Sequence, residues 1–357
     1  MLAKRLAQQE VAQCNPADLV GAILLAPVRL TTATIRKGTR VDHSLAASLV
    51  AAARADHLSQ ALRIAWPDPS DLHEDTAAEQ LAAVAAGPGV ERRQPRQSRL
   101  DLVAKWNGVL HVETDRLIRF NTVDSIELFT LFHGQAVQAG QVIASVKVAP
   151  HLISAALVQA GIRVARESGP LVEVRPYVPV EVAAIVTETV SGVDLERFQS
   201  GARMKVEALG SRFVGTTLIT SAEIEAAEHE IRMALDSLVV ARRIPLVLVG
   251  GVSAGDPLAP FYSALDGMGG RVLRHGVPAH PGSMIWLAEL GESRLLGLPQ
   301  CGMFTLATAA DLILPRLLTG EWLTARELAE LAHGGVLTRE MRFRFPQYAQ
   351  NLEAPEG

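Results

Sequence analysis

The sequence predicts an α/β protein in which a mostly parallel sheet carries helices on both faces. From Val180 onwards, apolar runs of strand length alternate with segments of helical periodicity, which is typical of parallel strands joined by crossover helices. The run Leu246–Val249 leads into a glycine-rich turn and then into Asp256-Pro257, a pair that favours the start of a helix. Before residue 176 the regular alternation is missing, so we expect an α+β region there.

Length and composition predict two domains and a tail. The chain has 357 residues, which is more than one hydrophobic core usually fills. We expect an α+β N-terminal domain of unknown task over 1–175 and an α/β domain over 176–330. A C-terminal tail over 331–357 follows, and from Phe343 onwards we expect it to be peripheral or partly disordered.

Charge and cysteine content exclude several classes of partner and site. The formal net charge of -4 gives no bulk attraction to nucleic acid or membrane, so neither is expected as a partner. Cys14 and Cys301 lie far apart in the sequence and form neither a disulfide framework nor a metal site, which is typical of a reducing cytoplasm. We expect no secretory signal and no membrane span.

The N-terminal domain is expected to mix strands and helices without a nucleotide-binding fingerprint. Strands are predicted at Val20–Leu30, Ala61–Trp66, Asp101–Ala104, Gly108–Val112 and Val142–Val148. Helices are predicted at Asp42–Arg54, His73–Ala86, Asp124–Phe132 and Pro150–Glu167.

A run of positive charge lies within residues 91–99. It contains Arg92, Arg93, Arg96 and Arg99, together with Pro95. A solvated loop is the favoured interpretation, because runs of charge usually lie in water, and a phosphate-binding patch is the alternative.

The C-terminal domain is expected to bring four loops to one edge of its sheet. Strands are predicted at Val180–Val186, Arg212–Thr217, Leu246–Val249, Arg271–His275, Met284–Leu290 and Arg294–Leu298. Helices are predicted at Asp194–Leu209, Ala222–Val240, Pro257–Met268 and Thr305–Leu318. Ligands of such sheets bind outside the carboxyl ends of the strands. We therefore expect four loops to converge there: Thr187–Val193, Gly250–Asp256, His275–Ser283 and Leu298–Phe304.

The loop after Val249 admits two interpretations. Its glycines let a ligand approach the backbone closely, and the N–H groups of such a loop suit a phosphate or another anion. Gly251-Val-Ser-Ala-Gly255 also matches the G-x-S-x-G pattern of serine hydrolases, with Ser253 as nucleophile, Asp266 as acid and His275 or His280 as base. The spacing argues against a hydrolase, because the loop extends several residues beyond the serine and Asp266 falls inside the following helix.

Three of these loops together resemble one protein family. Val249-Gly-Gly-Val-Ser-Ala-Gly-Asp256, Gly269-Gly-Arg-Val-Leu-Arg-His-Gly-Val-Pro-Ala-His-Pro-Gly282 and Leu296-Gly-Leu-Pro299 are similar in order and spacing to the molybdopterin-binding domain. Molybdopterin adenylyltransferase, molybdopterin molybdenumtransferase and competence-damage-type proteins share that domain. The resemblance covers roughly 178–319 and implies a three-layer sandwich. More weakly, the segment that runs from Gly21-Ala-Ile-Leu-Leu-Ala through Glu74-Asp-Thr-Ala-Ala-Glu-Gln-Leu-Ala to Val146-Lys-Val-Ala-Pro150 resembles the region that precedes this domain in some bacterial molybdenum-cofactor cytidylyltransferase fusions.

The resemblance implies a set of site residues. It places molybdopterin, or its nucleotide-linked form, against Gly250, Gly251, Ser253, Gly255, Pro281, Gly282, Ser283, Gly297 and Pro299. Glu188 and Asp256 are the catalytic candidates, and Asp256 either caps a helix or holds a Mg²⁺ ion beside the phosphate.

Departures from the family pattern fall on the catalytic loops. The first loop reads Thr187-Glu188-Thr189-Val190 where the family commonly has T-G-D-E, and Ser283 stands where the transferases usually have lysine. The last loop reads Leu298-Pro-Gln-Cys-Gly302, which loses one glycine and adds Cys301. Binding is therefore better supported than catalysis.

Besides the less favoured serine hydrolase that uses Ser253, two functions remain open. One is a cytoplasmic molybdenum-cofactor biosynthesis enzyme that inserts molybdate or transfers a nucleotide. The other is a non-catalytic carrier that passes the cofactor to a molybdoenzyme client. The family also suggests a homo-oligomer.

Overall fold

The computed structural model describes residues 1–31, 33–58, 60–96, 99–187, 192–298 and 307–352. These residues divide into two compact units. The N-terminal unit comprises Met1–Lys105, His111–His133 and Ala139–Val174. The C-terminal unit comprises Trp106–Leu110, Gly134–Gln138 and Arg175–Gly357.

The first 176 residues form short strands and six helices within the described ranges. The strands are β1 (Leu2–Leu6), β2 (Ile23–Leu24), β3 (Val28–Arg29), β4 (Thr34–Ile35), β5 (Leu62–Trp66), β6 (Asp71–His73), β7 (Val90–Arg92), β8 (Arg99–Ala104), β9 (Gly108–Val112), β10 (Ile126–Thr130), β11 (Ala136–Val137), β12 (Val142–Val148), β13 (Leu152–Ser154) and β14 (Val172–Pro176). The helices are α1 (Gln8–Gln13), α2 (Pro16–Leu19), α3 (His43–Arg54), α4 (Glu74–Ala85), α5 (Thr114–Asn121) and α6 (Ala155–Ala165). The strands pair as sheets of order β1-β5-β2, β10-β12-β8-β7, β11-β9-β14, β13-β6 and β3-β4.

Several N-terminal predictions are confirmed, and three are wrong in whole or in part. Asp42 and Ser44 are both candidate caps of the predicted helix Asp42–Arg54, and α3 begins after Asp42, whose carboxylate accepts a hydrogen bond from the Leu45 N–H at 2.7 Å. The predicted helix Pro150–Glu167 begins only at Ala155, because Leu152–Ser154 form β13, which pairs with β6. The predicted strand Val20–Leu30 is instead two short strands, β2 and β3, separated by a bend before Pro27, which has no N–H to donate to a ladder. The predicted helix Asp124–Phe132 is wrong, because β10 pairs antiparallel with β12.

The rest of the chain forms a mixed six-stranded sheet with helices. Its strands are β15 (Glu181–Val186), β16 (Arg212–Leu218), β17 (Leu246–Gly250), β18 (Arg271–His275), β19 (Trp286–Leu290) and β20 (Ser293–Leu298). Its α-helices are α7 (Gly192–Ala208), α8 (Ile224–Leu235), α9 (Pro260–Gly267), α10 (Ala310–Leu317), α11 (Ala325–Ala329) and α12 (Gln347–Gln350). A π-helical turn extends α8 over Asp236–Ala241, and 3-10 turns cover Glu330–Ala332 and Arg339–Arg344.

The sheet has the order β16-β15-β17-β20-β19-β18 and is mostly parallel, as predicted. Strands β16, β15, β17 and β20 run parallel to one another, whereas β19 pairs antiparallel with both β20 and β18. The α/β class is therefore confirmed.

Alternation along the strands divides the apolar side chains between two cores. Leu246 and Leu248 of β17 point into the core that contains α7 and α10, whereas Val247 and Val249 point into the core that contains α8 and α9. Successive strand residues face opposite sides of a sheet, so a strand that is apolar at every position must be covered on both faces.

The C-terminal segment is not peripheral along its described length. Phe345 and Ala349 are buried in the same core as α7 and α10, and Tyr348 packs against that core. The prediction that the chain from Phe343 onwards is peripheral or partly disordered is therefore wrong as far as residue 352. None of the helices that the structure describes combines the length and apolar character needed to cross a bilayer.

Candidate functional site

Three adjacent parallel strands end at the same edge of the sheet. Val186 at the end of β15 is in register with Gly250 at the end of β17, and Gly250 is in register with Leu298 at the end of β20. The chain segments that leave these strands therefore start from neighbouring points. The segment after β17 is fully described, and Thr187 of the segment after β15 donates its N–H to the Gly250 carbonyl at 3.1 Å.

The segment Gly251–Ala259, called here the glycine loop, is anchored through its carbonyl groups. The Val252 carbonyl accepts a hydrogen bond from the Trp286 indole at 2.9 Å, and the Ser253 carbonyl accepts one from the Tyr262 hydroxyl at 3.1 Å. Gly251 has a φ of +86°, a backbone conformation that residues with a side chain rarely adopt. The loop is thus fixed from the side of the protein interior.

The backbone N–H groups at the start of the glycine loop are not used in this anchoring. Among the described residues, none accepts a hydrogen bond from the N–H of Val252 or Ser253, whereas the register of β17 with β20 directs the Gly251 N–H towards the Leu298 carbonyl. Successive unengaged N–H groups after a strand form the kind of concavity that binds phosphate and other anions. The arrangement suits the anion site that the glycine pattern predicts.

Ser253 and Asp256 make short-range contacts within the loop. The Ser253 hydroxyl accepts a hydrogen bond from the Gly255 N–H at 3.2 Å, and the Asp256 carboxylate accepts one from the Leu258 N–H at 3.0 Å. Helix α9 begins at Pro260 rather than at Pro257, so the prediction of its start was three residues early. Asp256 therefore closes a turn ahead of the helix and does not cap it.

Tyr262 supports the loop as a neutral phenol. Burial, and next the negative charge of Asp256, raise the pKa of the Tyr262 hydroxyl well above its usual range. The hydroxyl consequently keeps its proton and can donate to the Ser253 carbonyl at any ordinary pH.

The segment His275–Ile285 follows β18 and meets the glycine loop. The Met284 carbonyl accepts a hydrogen bond from the Ala254 N–H at 3.4 Å. The Pro281 carbonyl accepts one from the Ala309 N–H at 2.9 Å, at the start of α10. Gly282 is buried there with a φ of +113°, and a Cβ on it would lie 2.9 Å from the Ala309 Cβ. The glycine loop therefore contacts Met284, the residue that follows the predicted loop His275–Ser283.

Gly297 has a packing reason to be glycine, whereas a Cβ on Gly255 would meet only the movable end of the exposed Met284 side chain. A Cβ on Gly297 would lie 2.0 Å from Cε2 of the Trp286 ring, and a Cβ on Gly255 would lie 2.8 Å from the Met284 methyl group. Trp286 is fully buried, so its ring has no space to move away from Gly297. Their roles in binding a cofactor remain predictions.

Some predicted site residues lie outside the described ranges. Glu188 and Pro299 belong to 188–191 and 299–306, and Cys301 lies in the second of these segments. Ser283, by contrast, is described, and its carbonyl accepts a hydrogen bond from the Val277 N–H at 3.0 Å.

The described residues assemble neither a hydrolase triad nor a multi-ligand metal centre. Within those ranges, Ser253 makes no hydrogen bond with a histidine, and Asp266 makes none with His275 or His280. No three His, Cys, Asp or Glu side chains of the described chain come together as metal ligands. The serine-hydrolase alternative is left without its base and acid.

Sequence reasoning missed a buried ionic network beside these loops. The Lys205 ammonium of α7 lies 2.9 Å from the Asp311 carboxylate of α10, and both side chains are buried. Asp311 also accepts hydrogen bonds from the Thr308 N–H at 2.9 Å and from the Tyr348 hydroxyl at 3.0 Å. The sequence did contain an indication of this network. Lys205 lies in the apolar stripe of α7 beside Ala202 and Val206, where burial of an unpaired lysine would be costly, so a buried acidic partner could have been predicted.

Comparisons with known proteins return only distant structural likenesses. No protein-family model matches the chain, and no curated protein gives a significant match. The molybdopterin biosynthesis protein MoeA of Pyrococcus horikosii is 14% identical, with 70% of this chain and 79% of that chain covered at a TM-score of 0.27. The molybdopterin biosynthesis enzyme MoaB of Thermus thermophilus is 16% identical, and the match covers 40% of this chain and 98% of that chain at a TM-score of 0.27. A molybdenum cofactor biosynthesis protein B is 12% identical, and the match covers 44% of this chain and 98% of that chain at a TM-score of 0.27. At such TM-scores these likenesses carry no argument about this chain.

Proposed function

We propose that this protein acts in molybdenum cofactor biosynthesis and binds molybdopterin, or its nucleotide-linked form, between the glycine loop and Pro281–Ser283. The observation that carries the proposal is the pair of successive N–H groups at Val252 and Ser253, which bond to none of the described residues and lie beside a second glycine-containing loop. Molybdopterin bears a phosphate, which such donors bind. The order and spacing of the sequence motifs support the same ligand.

Within this proposal each predicted residue has a defined task. The N–H groups that follow Gly250 hold the phosphate. The Ser253 hydroxyl is a further donor, because it accepts the hydrogen bond from the Gly255 N–H through its oxygen and keeps its own proton to donate. Asp256 is exposed and would hold a Mg²⁺ ion beside the phosphate, and Glu188 is the second catalytic candidate. Pro281, Gly282, Ser283, Gly297 and Pro299 shape the rim.

The reaction we propose is either molybdate insertion or nucleotidyl transfer. A Mg²⁺ ion at Asp256 would neutralise the charge on the phosphate oxygens, and the loop donors would orient them. The alternative is a carrier that binds the same cofactor and releases it to a molybdoenzyme client. We also propose a homo-oligomer in the cytoplasm, with neither nucleic acid nor membrane as a partner.

A calorimetric titration tests the proposal. The purified protein is titrated with molybdopterin and its adenylylated and cytidylylated forms, with and without Mg²⁺ and molybdate, and each mixture is assayed for product. Ser253→Ala is expected to weaken binding about fivefold, the value of one hydrogen bond. Asp256→Asn is expected to abolish the Mg²⁺-dependent part of the affinity. Asp266→Asn is the matched control, because it makes the same charge change at an exposed site in α9 and should bind like the wild type.

The outcomes separate the two functions. Binding with product formation identifies an enzyme and its reaction from the ligands consumed. Binding of the cofactor without any product supports the carrier. Failure to bind every form of the cofactor contradicts the proposal as a whole.

A further inference from the structure

The N-terminal unit contains a cavity whose lining, among the described residues, is mostly cationic. Its volume is about 860 Å³, and it is lined by Arg36, Pro95, Arg96, Arg99 and Lys147. Four of these five residues carry a positive charge, and none is acidic. The arginine run of residues 91–99 therefore contributes only Arg96 and Arg99, and the other two cations come from elsewhere in the chain.

Sheet pairing holds three of the cations together. Lys147 of β12 is directly opposite Arg99 of β8 in the antiparallel register. Arg96 is joined to Arg99 by two backbone hydrogen bonds of 2.7 and 3.2 Å. Like charges directly opposite each other destabilise a sheet, so the Arg99–Lys147 pair does not stabilise the strands. On its other side Lys147 is opposite Glu127 of β10, and that pair of opposite charges does favour the sheet.

Among the described residues, two carboxylates are placed to offset these cations, Asp101 beside Arg99 and Glu127 opposite Lys147 in the sheet. The Arg99 guanidinium lies 2.9 Å from the Asp101 carboxylate, which also accepts a hydrogen bond from the Ser145 hydroxyl at 2.7 Å. Arg36, Arg96 and Lys147 form neither an ion pair nor a side-chain hydrogen bond with any residue in the described ranges. The cavity thus gathers positive charge in a chain whose net charge is -4.

From this geometry we infer that the cavity binds a small molecule with at least two phosphate groups. Its volume falls within the roughly 300–1,000 Å³ range of small-molecule sites. Arginine forks bind phosphate through paired hydrogen bonds, and a lysine adds a point charge. An anion with one charge would leave most of the cations uncompensated. The inference does not rest on the proposed cofactor function, since all of its residues belong to the N-terminal unit.

Titration with inorganic tripolyphosphate tests the inference on the full chain. Calorimetry near neutral pH compares the wild type with Arg36→Gln, Arg96→Gln and Lys147→Gln, and inorganic phosphate serves as the weak ligand. We expect each variant to bind tripolyphosphate about tenfold more weakly than the wild type, because a charge-assisted contact is lost. Arg166→Gln is the matched control, since it removes one exposed charge of the same unit outside the cavity and should bind within about twofold of the wild type.

Several results would overturn the inference. One is equal weakening by Arg166→Gln, which would show that binding follows net charge alone. Another is equal affinity for tripolyphosphate and inorganic phosphate, and a third is no binding at all. Tighter binding of a short single-stranded RNA would assign the surface to a macromolecule instead. Circular dichroism checks that each variant is folded. If Lys147→Gln is unfolded, the variants at the exposed positions, Arg36→Gln and Arg96→Gln, still test the inference.

Discussion

Trp286 connects two features of the candidate site through one side chain. Its indole nitrogen donates to the Val252 carbonyl of the glycine loop, and its ring covers the Cα of Gly297 on the neighbouring strand. A tryptophan fits here because its large apolar ring fills the core while its N–H has a buried acceptor. The glycine at 297 is therefore fixed by packing, whatever its role towards a ligand.

Replacement of Gly297 by alanine is expected to destabilise the protein. The new Cβ would meet a buried ring that cannot move, so we expect a loss of about 1–3 kcal/mol in the free energy of unfolding. Urea denaturation measures this loss. Gly192→Ala is the control: a Cβ there has nothing within 4 Å, and alanine favours a helix, so that variant should be neutral or gain up to ~1 kcal/mol. Wild-type stability in Gly297→Ala would contradict the packing explanation.

At the scale of elements, one carboxylate joins three helices of the C-terminal unit. Asp311 of α10 receives the ammonium of Lys205 from α7 and the hydroxyl of Tyr348 from α12. Burial and the neighbouring Asp311 raise the pKa of Tyr348 well above its usual range, which keeps this donor protonated. The network fixes the start of α10. At that point the Ala309 N–H donates a hydrogen bond to the Pro281 carbonyl of the segment His275–Ile285.

Removal of Lys205 is expected to be costly, because it leaves a buried carboxylate without its counter-charge. We expect Lys205→Met to lose about 3–5 kcal/mol and Tyr348→Phe about 1 kcal/mol of unfolding free energy. A double-mutant cycle by urea denaturation checks the coupling, and Lys205→Met/Asp311→Asn should lose clearly less than the sum of its single variants. Additivity within about 0.5 kcal/mol would show that the two groups do not act as a pair.

At the scale of the whole chain, the described C-terminal residues belong to the core of their unit. Phe345 is 3% exposed, whereas Phe343, two residues earlier, is 50% exposed. We expect Phe345→Ala to lose about 3–5 kcal/mol, the usual result of emptying a buried aromatic site. Phe343→Ala removes the same atoms from a half-exposed position and should lose much less. Equal losses, measured by thermal or urea unfolding, would contradict the placement of this segment.

Local pattern predicted the elements best where the pattern itself was long and regular. The strands β15, β17 and β20 and the helices α3, α4 and α7 lie close to their predicted bounds. The prediction for Asp124–Phe132 failed because Ile126 and Leu128 also fit a strand, and the pairing partner β12 decided between the two. A short stretch of sequence does not show which distant segment it will pair with, so such pairing cannot be predicted from the local pattern.

The sequence by itself determined the α/β class, the mostly parallel sheet and the glycine loops at its carboxyl edge. These follow from hydrophobic period and from glycine and proline positions, which act within a few residues. Only the tertiary structure decided that the Trp286 and Tyr262 side chains anchor the glycine loop and that Lys205 meets Asp311. It alone also brought Arg36 and Lys147 to the arginines at 96 and 99. Side-chain contacts between distant segments depend on how sheets and helices pack, and a one-dimensional pattern does not record that packing.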